Sequence, residues 1–505
     1  MFKVYKPKLW LILTDLLMIG INVFIVFRFF PLTTHDPFLK YFIPLIVVCV
    51  LWLIVSYLLG RYKGVKHVSF LDSAYALFFT SVIILLIFGV FILIQPASPY
   101  SQNVLITIIL GIFVCIYVFL FVYYVYRYAV QYDAPPQTHE KRLNSEAQPS
   151  KPLSEDAEIE RRLRITDFSG EKVYSYLKKH INLNESGTCI LTELNLQELE
   201  KQDYYQYSTY IQLKRLNHIR GINKMLALIN TKLSDDGVVV CCYRSQSTLK
   251  QMILKKYPAF IAYSIYIVYF LYHRVMSKFF LTKRLYHDLT EGKKRVLSKT
   301  EVLGRLNFCG YKVLSQAKIN DVNYVIARRV KSSEPLFPRY YGFLIKLRRT
   351  GKNGKELNVF KLRTMHPYAE FLQEYIYENN SLQEGGKFKK DIRVTTYGHF
   401  LRKYWLDELP MLINLVKGNM KLIGVRPLSY HYFNLYSKEL QKKRIKYKPG
   451  LLPPFYADMP KTLDEIQASE MKYLNECEER GVFITDIKYF FLILKNILFK
   501  KARSA

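Results

Sequence analysis

"KYWLDELPMLINLVKGNMKLIGVRP", residues 403–427, places two adjacent carboxylates directly in front of a proline and an apolar stretch. Proline is favoured in the first turn of a helix and glycine just past its end, so Pro410 and Gly418 predict a short helix between them. Asp407 and Glu408 therefore lie at the N-terminal end of that helix. The stretch decides how the C-terminal third of the chain folds and where its chemistry can occur.

Cations accompany these carboxylates on neighbouring segments. The strand-like "ELNVFKLRTM" carries Lys361 and Arg363 on one face, because side chains alternate along a strand. Arg402 lies five residues before Asp407, and Arg426 follows the predicted helix. Paired carboxylates can hold Mg²⁺ together with phosphates, or one of them can attack phosphorus. Arginine forks suit a transferring phosphoryl group. The spacing alone is also consistent with a structural role, in which Asp407 caps a helix and the lysine and arginine side chains form a solvated basic face.

The composition points to a membrane. The chain has 505 residues, half of them apolar, and a formal net charge of +32. Such a charge suits nucleic acid, but no nucleic-acid-binding motif accompanies it, so we expect no nucleic-acid partner. It also suits attraction to anionic lipids. The seven cysteines show no CxxC spacing, which argues against a zinc site and a disulfide framework.

Four apolar runs in residues 1–133 predict a four-helix transmembrane bundle. They lie at about 8–30, 41–60, 70–95 and 103–126. Each has roughly 20 residues or more, enough to cross ~30 Å of hydrocarbon. Lysine and arginine precede the first run and fill the loop after the second, while the loop after the third has none, so both ends of the bundle are expected in the cytoplasm. Asp15, inside the first run, predicts a hydrogen bond between helices or a position near the membrane interface rather than a functional role.

A polar segment and an α/β pattern follow. Residues 134–165 are rich in proline and charge and predict a cytoplasmic linker. Residues 166–335 alternate between helix and strand patterns. Over about 185–330 their order loosely resembles the later half of class I methyltransferases. Because these residues have no glycine-rich loop for a cofactor, we expect a degenerate nucleotide-binding, methyltransferase-like domain without a working cofactor site.

An apolar segment interrupts this domain at 257–277. It is uncharged from Tyr257 to Tyr272, and lysine and arginine flank it on both sides. Positive charge at both ends suits a re-entrant membrane helix, which enters and returns to the same side. A helix lying flat in one leaflet is the alternative that the sequence leaves open.

Three motifs give the C-terminal region a family resemblance. "FKLRTM", "FLRKYWLDELPMLINLVKGNMKLIGVRP" and "KPGL" resemble the signature blocks of the bacterial sugar transferases, the monotopic polyprenyl-phosphate glycosyl-1-phosphate transferases. With the four spans and the middle domain, the chain resembles their large undecaprenyl-phosphate sugar phosphotransferase branch. The close resemblance covers about 340–460. It implies an α+β catalytic domain over 336–505, on the cytoplasmic face of the bacterial inner membrane.

The resemblance implies a reaction and a role for each residue. A UDP-sugar and undecaprenyl phosphate would give undecaprenyl-diphosphate sugar and UMP, which begins a capsule, exopolysaccharide, O-antigen or glycoprotein glycan. Asp407 would be the nucleophile, Glu408 would hold Mg²⁺ with Asp407 or tune it, and Arg402 would pair with the catalytic carboxylate. The phosphate-binding residues would be Lys361, Arg363, Arg426, Arg393 and Arg444.

The sequence departs from the family pattern in two loops. It reads "GVRP" where the family has Gly-Pro-Arg-Pro, and "PGLLPP" where the family has Pro-Gly-(Ile/Leu)-Thr-Gly. These departures leave the sugar open. Two other functions also stay open: a lipid- or glycan-modifying methyltransferase, and a membrane scaffold for polysaccharide assembly. The oligomeric state is open as well, with a homodimer as one alternative.

Overall fold

The structure is a computed structural model, and it divides the chain into two compact units, Met1–Tyr128 and Ala129–Ala505. The described residues are 7–29, 37–63, 70–94, 100–132, 151–193, 195–279, 281–334, 341–379, 391–460 and 462–499.

The first unit is a bundle of apolar helices. They are α1 (Leu9–Phe29), α2 (Pro37–Leu58), α3 (Phe70–Ile94) and α4 (Gln102–Arg127). Within the described part of the chain, these four helices are long and apolar enough to cross a membrane. They match the four runs of the sequence, because uninterrupted apolar length alone identifies such helices.

A buried ion pair joins α1 to the end of α2. The carboxylate of Asp15 accepts hydrogen bonds from Arg61 Nη2 at 2.5 Å and Arg61 Nε at 2.7 Å. Trp52 Nε1 and the Tyr62 hydroxyl also donate to it, each at 3.1 Å. The predicted contact between helices is therefore present. Its partner Arg61 is one of the loop cations behind the predicted orientation, yet it is buried against a carboxylate.

The second unit contains the other helices and all the described strands. The helices are α5 (Glu155–Ser169), α6 (Glu171–His180), α7 (Leu196–Lys201), α8 (Ile222–Lys232), α9 (Gln246–Lys256), α10 (Ala259–Phe270), α11 (Lys283–Thr290), α12 (Lys299–Phe308), α13 (Gln373–Asn379), α14 (Thr396–Lys403), α15 (Leu412–Val416), α16 (Tyr430–Asn434), α17 (Lys438–Ile445), α18 (Phe455–Asp458), α19 (Leu463–Arg480) and α20 (Val482–Phe499). The strands are β1 (Val130–Tyr132), β2 (Thr188–Leu191), β3 (Tyr207–Gln212), β4 (Leu233–Tyr243), β5 (Tyr311–Ile319), β6 (Val322–Arg329), β7 (Leu344–Thr350), β8 (Glu356–Leu362), β9 (Lys421–Ile423) and β10 (Gly450–Leu452).

Helix α5 corrects the predicted linker. It begins at Glu155, so residues 155–165 are helical rather than part of a linker, and its Ile165 is fully buried in a core formed with α6. Much of the rest of the predicted linker lies outside the described residues.

The middle region is a five-stranded sheet in the order β2-β3-β4-β6-β5. Strands β2, β3 and β4 are parallel, and β6 runs antiparallel to both β4 and β5. Strand β4 is buried on both faces: Val239, Cys241 and Tyr243 join the core under α8 and α12, while Val240 and Cys242 face α5 and α6. The element order agrees with the sequence, and the likeness to methyltransferases stays a prediction.

The apolar segment leaves this sheet and returns to it. The Gln246 N–H donates to the Leu297 carbonyl at 2.8 Å, so α9, α10 and α11 form an excursion that begins and ends at one place. Helix α10 continues through a π-helical turn at Leu271–Val275. Several of its large apolar side chains are exposed, with Phe260 at 85% and Val268 at 67%. Whether this helix is re-entrant stays a prediction.

The C-terminal region shares a core with the middle sheet. Tyr368, Leu372 and Ile376 pack into the core that contains α8 and α12. A sheet in the order β1-β7-β8 contains the predicted strand that carries Lys361, and β9 pairs with β10 in parallel. Helix α20 buries Tyr489 and Ile493 against α19, so it is a packed helix that also leaves an apolar face exposed.

Candidate active site

The two adjacent carboxylates lie in a 3₁₀ turn at Leu406–Met411. Trp405, with φ of 58°, starts the turn, so Pro410 lies inside it and does not begin the helix as the sequence predicted. Helix α15 follows and ends at Val416. Gly418 has φ of 67°, as expected for a glycine past a helix end. The carboxylates remain at an N-terminal end, but of a tighter turn.

Strand β8 packs against this turn and against the helix that follows it. Met411 of the turn and Val359 of β8 are buried in one small core. The fully buried Asn414 accepts a hydrogen bond from the Phe360 N–H at 3.2 Å and donates to the Asn358 carbonyl at 2.8 Å. One polar side chain in an apolar helix therefore fixes the carboxylates relative to the strand that carries Lys361. The lone asparagine in "LPMLINLV" is the sequence signal for this contact, although the sequence alone predicted no role for it.

Asp407 is buried, with 6% of its surface exposed. Its Oδ1 atom has no hydrogen-bond partner among the described residues. Buried polar atoms without partners are uncommon in folded proteins and call for an explanation. A carboxylate oxygen left without a partner can accept a metal ion or attack an electrophile.

Glu408 is instead engaged by cations. Lys361 Nζ donates to Glu408 Oε1 at 2.6 Å, and Arg426 Nη2 lies 3.8 Å from the same oxygen. These three side chains line a cleft together with a mixed polar and apolar wall. The wall contains Arg349, Val359, Met411, Pro427, Leu451, Pro453 and Tyr456. Arg349 and Tyr456 come from distant segments and were not predicted.

The electrostatics separate the two carboxylates. Burial raises the pKa of Asp407, and the nearby Glu408 charge adds to this against the opposing Lys361 and Arg402 charges. Burial also acts to raise the pKa of Glu408, but Lys361 and Arg426 outweigh it and lower that pKa. Adjacent carboxylates whose pKa values move apart are typical of groups with different roles.

Arg402 and Arg393 form a neighbouring cluster. Arg402 Nε donates to Thr364 Oγ1 at 3.0 Å, and the Arg402 charge acts to lower the pKa of both Asp407 and Asp391. Arg393 pairs with Asp391, its Nη2 lying 2.8 Å from Oδ2. Arg402 thus acts on the predicted nucleophile through its charge, while Arg393 is bound to its own carboxylate.

Arg363 and Arg444 have structural partners. Strand β8 ends at Leu362, so the alternation does not extend to Arg363, which donates from Nε to the Gly342 carbonyl at 2.8 Å. Arg444 pairs with the fully buried Glu470 and donates to the Arg426 carbonyl at 2.5 Å. Of the five predicted phosphate-binding residues, the structure therefore brings Lys361 and Arg426 to the cleft.

A metal ion at this site would have to be held by the two carboxylates of Asp407 and Glu408. Among the described residues, no group of three or more His, Cys, Asp or Glu could hold a metal ion. Mg²⁺ is commonly bound by one or two carboxylates together with substrate phosphates. The unpartnered Asp407 oxygen and the adjacent Glu408 fit that kind of site.

Comparison with known proteins supports the resemblance of the motifs. Residues 324–500 match the model of the family described as bacterial sugar transferase. A galactosyl transferase CpsE of Streptococcus agalactiae is 34% identical over 155 residues, which are 30% of this chain and 33% of that protein. An undecaprenyl-phosphate galactose phosphotransferase of Salmonella typhimurium is 32% identical over 119 residues, 23% of this chain and 24% of that protein.

A third relative carries a more explicit name. The UDP-glucose:undecaprenyl-phosphate glucose-1-phosphate transferase of Xanthomonas campestris pv. campestris is 33% identical over 130 residues, 25% of this chain and 24% of that protein. The aligned part spans at most about a third of the length of these three relatives. The resemblance seen in the C-terminal motifs is confirmed for that region.

Proposed function

We propose that this protein transfers a sugar-1-phosphate from a UDP-sugar to undecaprenyl phosphate. The match of its C-terminal region to the bacterial sugar transferases supports this proposal. The observation that carries the proposal is the buried Asp407 carboxylate, one oxygen of which has no partner among the residues described, beside a cleft lined by Lys361, Glu408 and Arg426. An N-terminal helix cap would not require the cations gathered around Glu408.

The reaction has two displacements at one phosphorus. The unpartnered oxygen of Asp407 attacks the sugar-bearing phosphorus, the phosphorus–oxygen bond to UMP breaks, and UMP leaves with the electron pair. An oxygen of undecaprenyl phosphate then attacks the same phosphorus. The bond to Asp407 breaks, and its carboxylate is restored. The products are UMP and undecaprenyl-diphosphate sugar.

The charged neighbours have separate tasks in this scheme. Lys361 and Arg426 provide positive charge where the diphosphate oxygens gain negative charge. Glu408 holds both cations in place and balances their charge within the cleft. Asp407 and Glu408 would also hold Mg²⁺, which neutralises phosphate charge when it is bound.

We place the reaction at the cytoplasmic face of a bacterial inner membrane. Nucleotide sugars are cytoplasmic, so the cleft must open there. The hydrogen bond that closes the α9–α11 excursion supports this placement, because the chain returns to its sheet before it enters the C-terminal region. The four apolar helices and the attraction of a strongly basic chain to anionic lipids support a membrane location.

The altered loops bear on the sugar. Leu451 and Pro453 of "PGLLPP" line the cleft, so this departure from the family pattern lies where a sugar would be bound. Val425 of "GVRP" is buried in the core, and its carbonyl accepts the Gly450 N–H at 3.0 Å. The two loops are thus joined, and we propose that they act together in the choice of sugar for one of the glycan pathways named above.

The experiment is UMP release by the purified full-length protein from a panel of UDP-sugars, with Mg²⁺ and undecaprenyl phosphate. The proposal predicts lipid-dependent release from one sugar, which Asp407→Asn abolishes while the protein stays folded. Release that survives Asp407→Asn would contradict the assigned nucleophile. No release from a folded protein across UDP- and other nucleotide-sugars would favour a scaffold instead.

A further inference from the structure

A second charged cavity, of about 250 Å³, lies in the same unit outside the catalytic cleft. It lies between α8, α12 and the segment that follows α10, and we name it the basic cavity. Its six lysine and arginine side chains are Arg220, Lys224, Lys278, Lys283, Arg295 and Arg305. Among the described residues that line it, Glu301 is the only carboxylate.

Lys224 is paired with Glu200, which lies outside the cavity wall, at 2.8 Å, and Glu301 cannot balance the five other cations. Glu301 is fully buried and ion-paired to three cations: Arg274, Lys278 at 2.5 Å and Arg305 at 2.9 Å. The Ser298 hydroxyl accepts a hydrogen bond from the Glu301 N–H at 3.2 Å, while the Glu301 side chain is bound by the cations. Burial acts to raise the pKa of Glu301, and the three cations outweigh it and hold that pKa well below its usual range.

Unmet hydrogen-bonding groups accompany the excess charge. Arg295 Nε, Arg305 Nε and His287 Nδ1 are buried and have no hydrogen-bond partner among the described residues. Burial and the Arg305 charge lower the pKa of Arg295 to about 10. Burial together with Arg295, Arg220 and Lys283 lowers the pKa of His287 to about 4. Like charges held together in this way favour a bound anion.

The surroundings indicate which kind of anion. Ser277 and Lys278 in the cavity wall directly follow the apolar helix α10 and its π-helical turn. That helix exposes Phe260 and Val268 among other large apolar side chains. A ligand with an anionic head and an apolar chain would contact both surfaces, and lipids of this kind are present in the membrane that the apolar segment is expected to enter.

We propose that the basic cavity binds the phosphate group of a lipid whose hydrocarbon chain lies along α10. The identification of this lipid as a polyprenyl phosphate or diphosphate rests on the proposed function, whereas the site itself does not. The cavity is a second lipid-phosphate site, outside the catalytic cleft, and its six cations all come from the middle region.

The cavity also borders the catalytic region. Its wall includes Tyr341 and Tyr368, whose ring centroids are 4.9 Å apart. Arg305 lies 4.4 Å from the centroid of Tyr368, and Arg363 lies 5.0 Å from that of Tyr341. The basic cavity therefore contacts the C-terminal region through two tyrosines in ring contact, beyond which lies Arg363, just past the end of the strand that carries Lys361.

The test uses a photoreactive polyprenyl phosphate and the full-length Asp407→Asn protein in membranes, so that labelling does not depend on turnover. Labelled peptides are mapped by mass spectrometry. The cavity is altered by Arg220→Gln with Lys283→Gln, both exposed at its rim. The matched control is Lys178→Gln with Lys179→Gln on α6, two exposed cations outside the cavity. Lys224→Gln, whose ammonium is also exposed, serves if the double variant does not fold.

We expect labelling within residues 259–296, reduced about tenfold by the rim substitutions and unchanged by the control. A photoreactive polyprenol without phosphate should label these residues equally weakly in all variants. Labelling confined to peptides of 341–460, or labelling of 259–296 that the rim substitutions leave unchanged, would overturn the proposal. Calorimetric binding of inorganic diphosphate that the rim substitutions abolish, without lipid labelling, would overturn the lipid as the ligand. None of these outcomes depends on UMP release, so the failure of the proposed function would be seen separately.

Discussion

The catalytic cleft and the basic cavity lie in one compact unit, yet their charges are arranged in opposite ways. In the cleft, Lys361 and Arg426 contact Glu408, and one oxygen of the adjacent Asp407 has no partner in the part of the chain that the structure describes. In the basic cavity, Glu301 is paired to three cations, and cations remain in excess around it. A balanced site with one free carboxylate oxygen thus suits bond making, whereas a site with surplus cations suits anion binding.

The greatest loss of activity should follow a change to Asp407, the buried carboxylate next to Glu408 of the cleft. Asp407→Asn should lower the rate of UMP release by at least about 10³-fold, because the amide cannot replace the attacking oxygen. Steady-state UMP release measures this. Asp391→Asn is the matched control, since Asp391 is a half-buried carboxylate beside an arginine but has no assigned chemistry. Equal losses in both variants would mean that the effect is structural.

The second-largest effect should distinguish Arg444, an arginine that stabilises the fold, from the residues that line the cleft. Removing one partner of the buried Arg444–Glu470 pair leaves the other charge buried, at a cost of about 3–5 kcal/mol. We expect Arg444→Met to lower the thermal unfolding temperature by several degrees. Adding Glu470→Met should restore most of the loss. A variant with unchanged stability and a raised KM for UDP-sugar would instead return Arg444 to the phosphate-binding role predicted from the sequence.

The pH dependence tests the role of Lys361 beside the nucleophile. Asp407 must be ionised to attack, so activity should be full above its pKa and lost as the pH falls through it. Because that pKa is raised from 3.8, the acid limb of the kcat/KM profile should lie above pH 3.8. Lys361→Met removes a charge that lowers the pKa of Asp407, so the limb should move to higher pH. Lys472→Met, an exposed lysine elsewhere, should leave it in place; a limb that moves down with Lys361→Met would contradict this arrangement.

A more modest change is expected from the basic cavity. Arg220→Gln with Lys283→Gln should lower kcat/KM for undecaprenyl phosphate by about tenfold, because two charges near the lipid phosphate are lost. The KM for UDP-sugar should stay the same, since both residues lie outside the cleft. Initial rates at varied concentrations of each substrate distinguish the two. An equal rise in both KM values would place the effect in the fold rather than in lipid binding.

Local patterns explain what the sequence could predict. The four apolar helices and the alternating burial of β4 depend only on residue type and period. The start of α5 also had a local signal, because Ser154 is followed by Glu155, Asp156 and Glu158, as is typical of a helix start. The proline and charge of residues 134–165 as a whole nevertheless favoured the prediction of a linker.

Long-range packing explains the rest. Arg444 and Glu470 belong to α17 and α19 and have no pattern that joins them before the chain folds. The six cations of the basic cavity come from several separate segments, each of which alone is typical of a solvated basic face. The 3₁₀ turn at Leu406–Met411 depends on Trp405, whose backbone lies in the left-handed region. The sequence does not predict this conformation, because residues other than glycine rarely adopt it.

The covalent intermediate on Asp407 is the species that distinguishes the proposed mechanism from any other. The purified protein is incubated with its UDP-sugar in the absence of undecaprenyl phosphate, and its intact mass and peptide map are recorded. We expect a gain equal to one sugar-phosphate on the peptide that contains Asp407, absent in Asp407→Asn and discharged when undecaprenyl phosphate is added. Product that forms only when both substrates are present together, with no adduct at any time, would contradict the two-step mechanism.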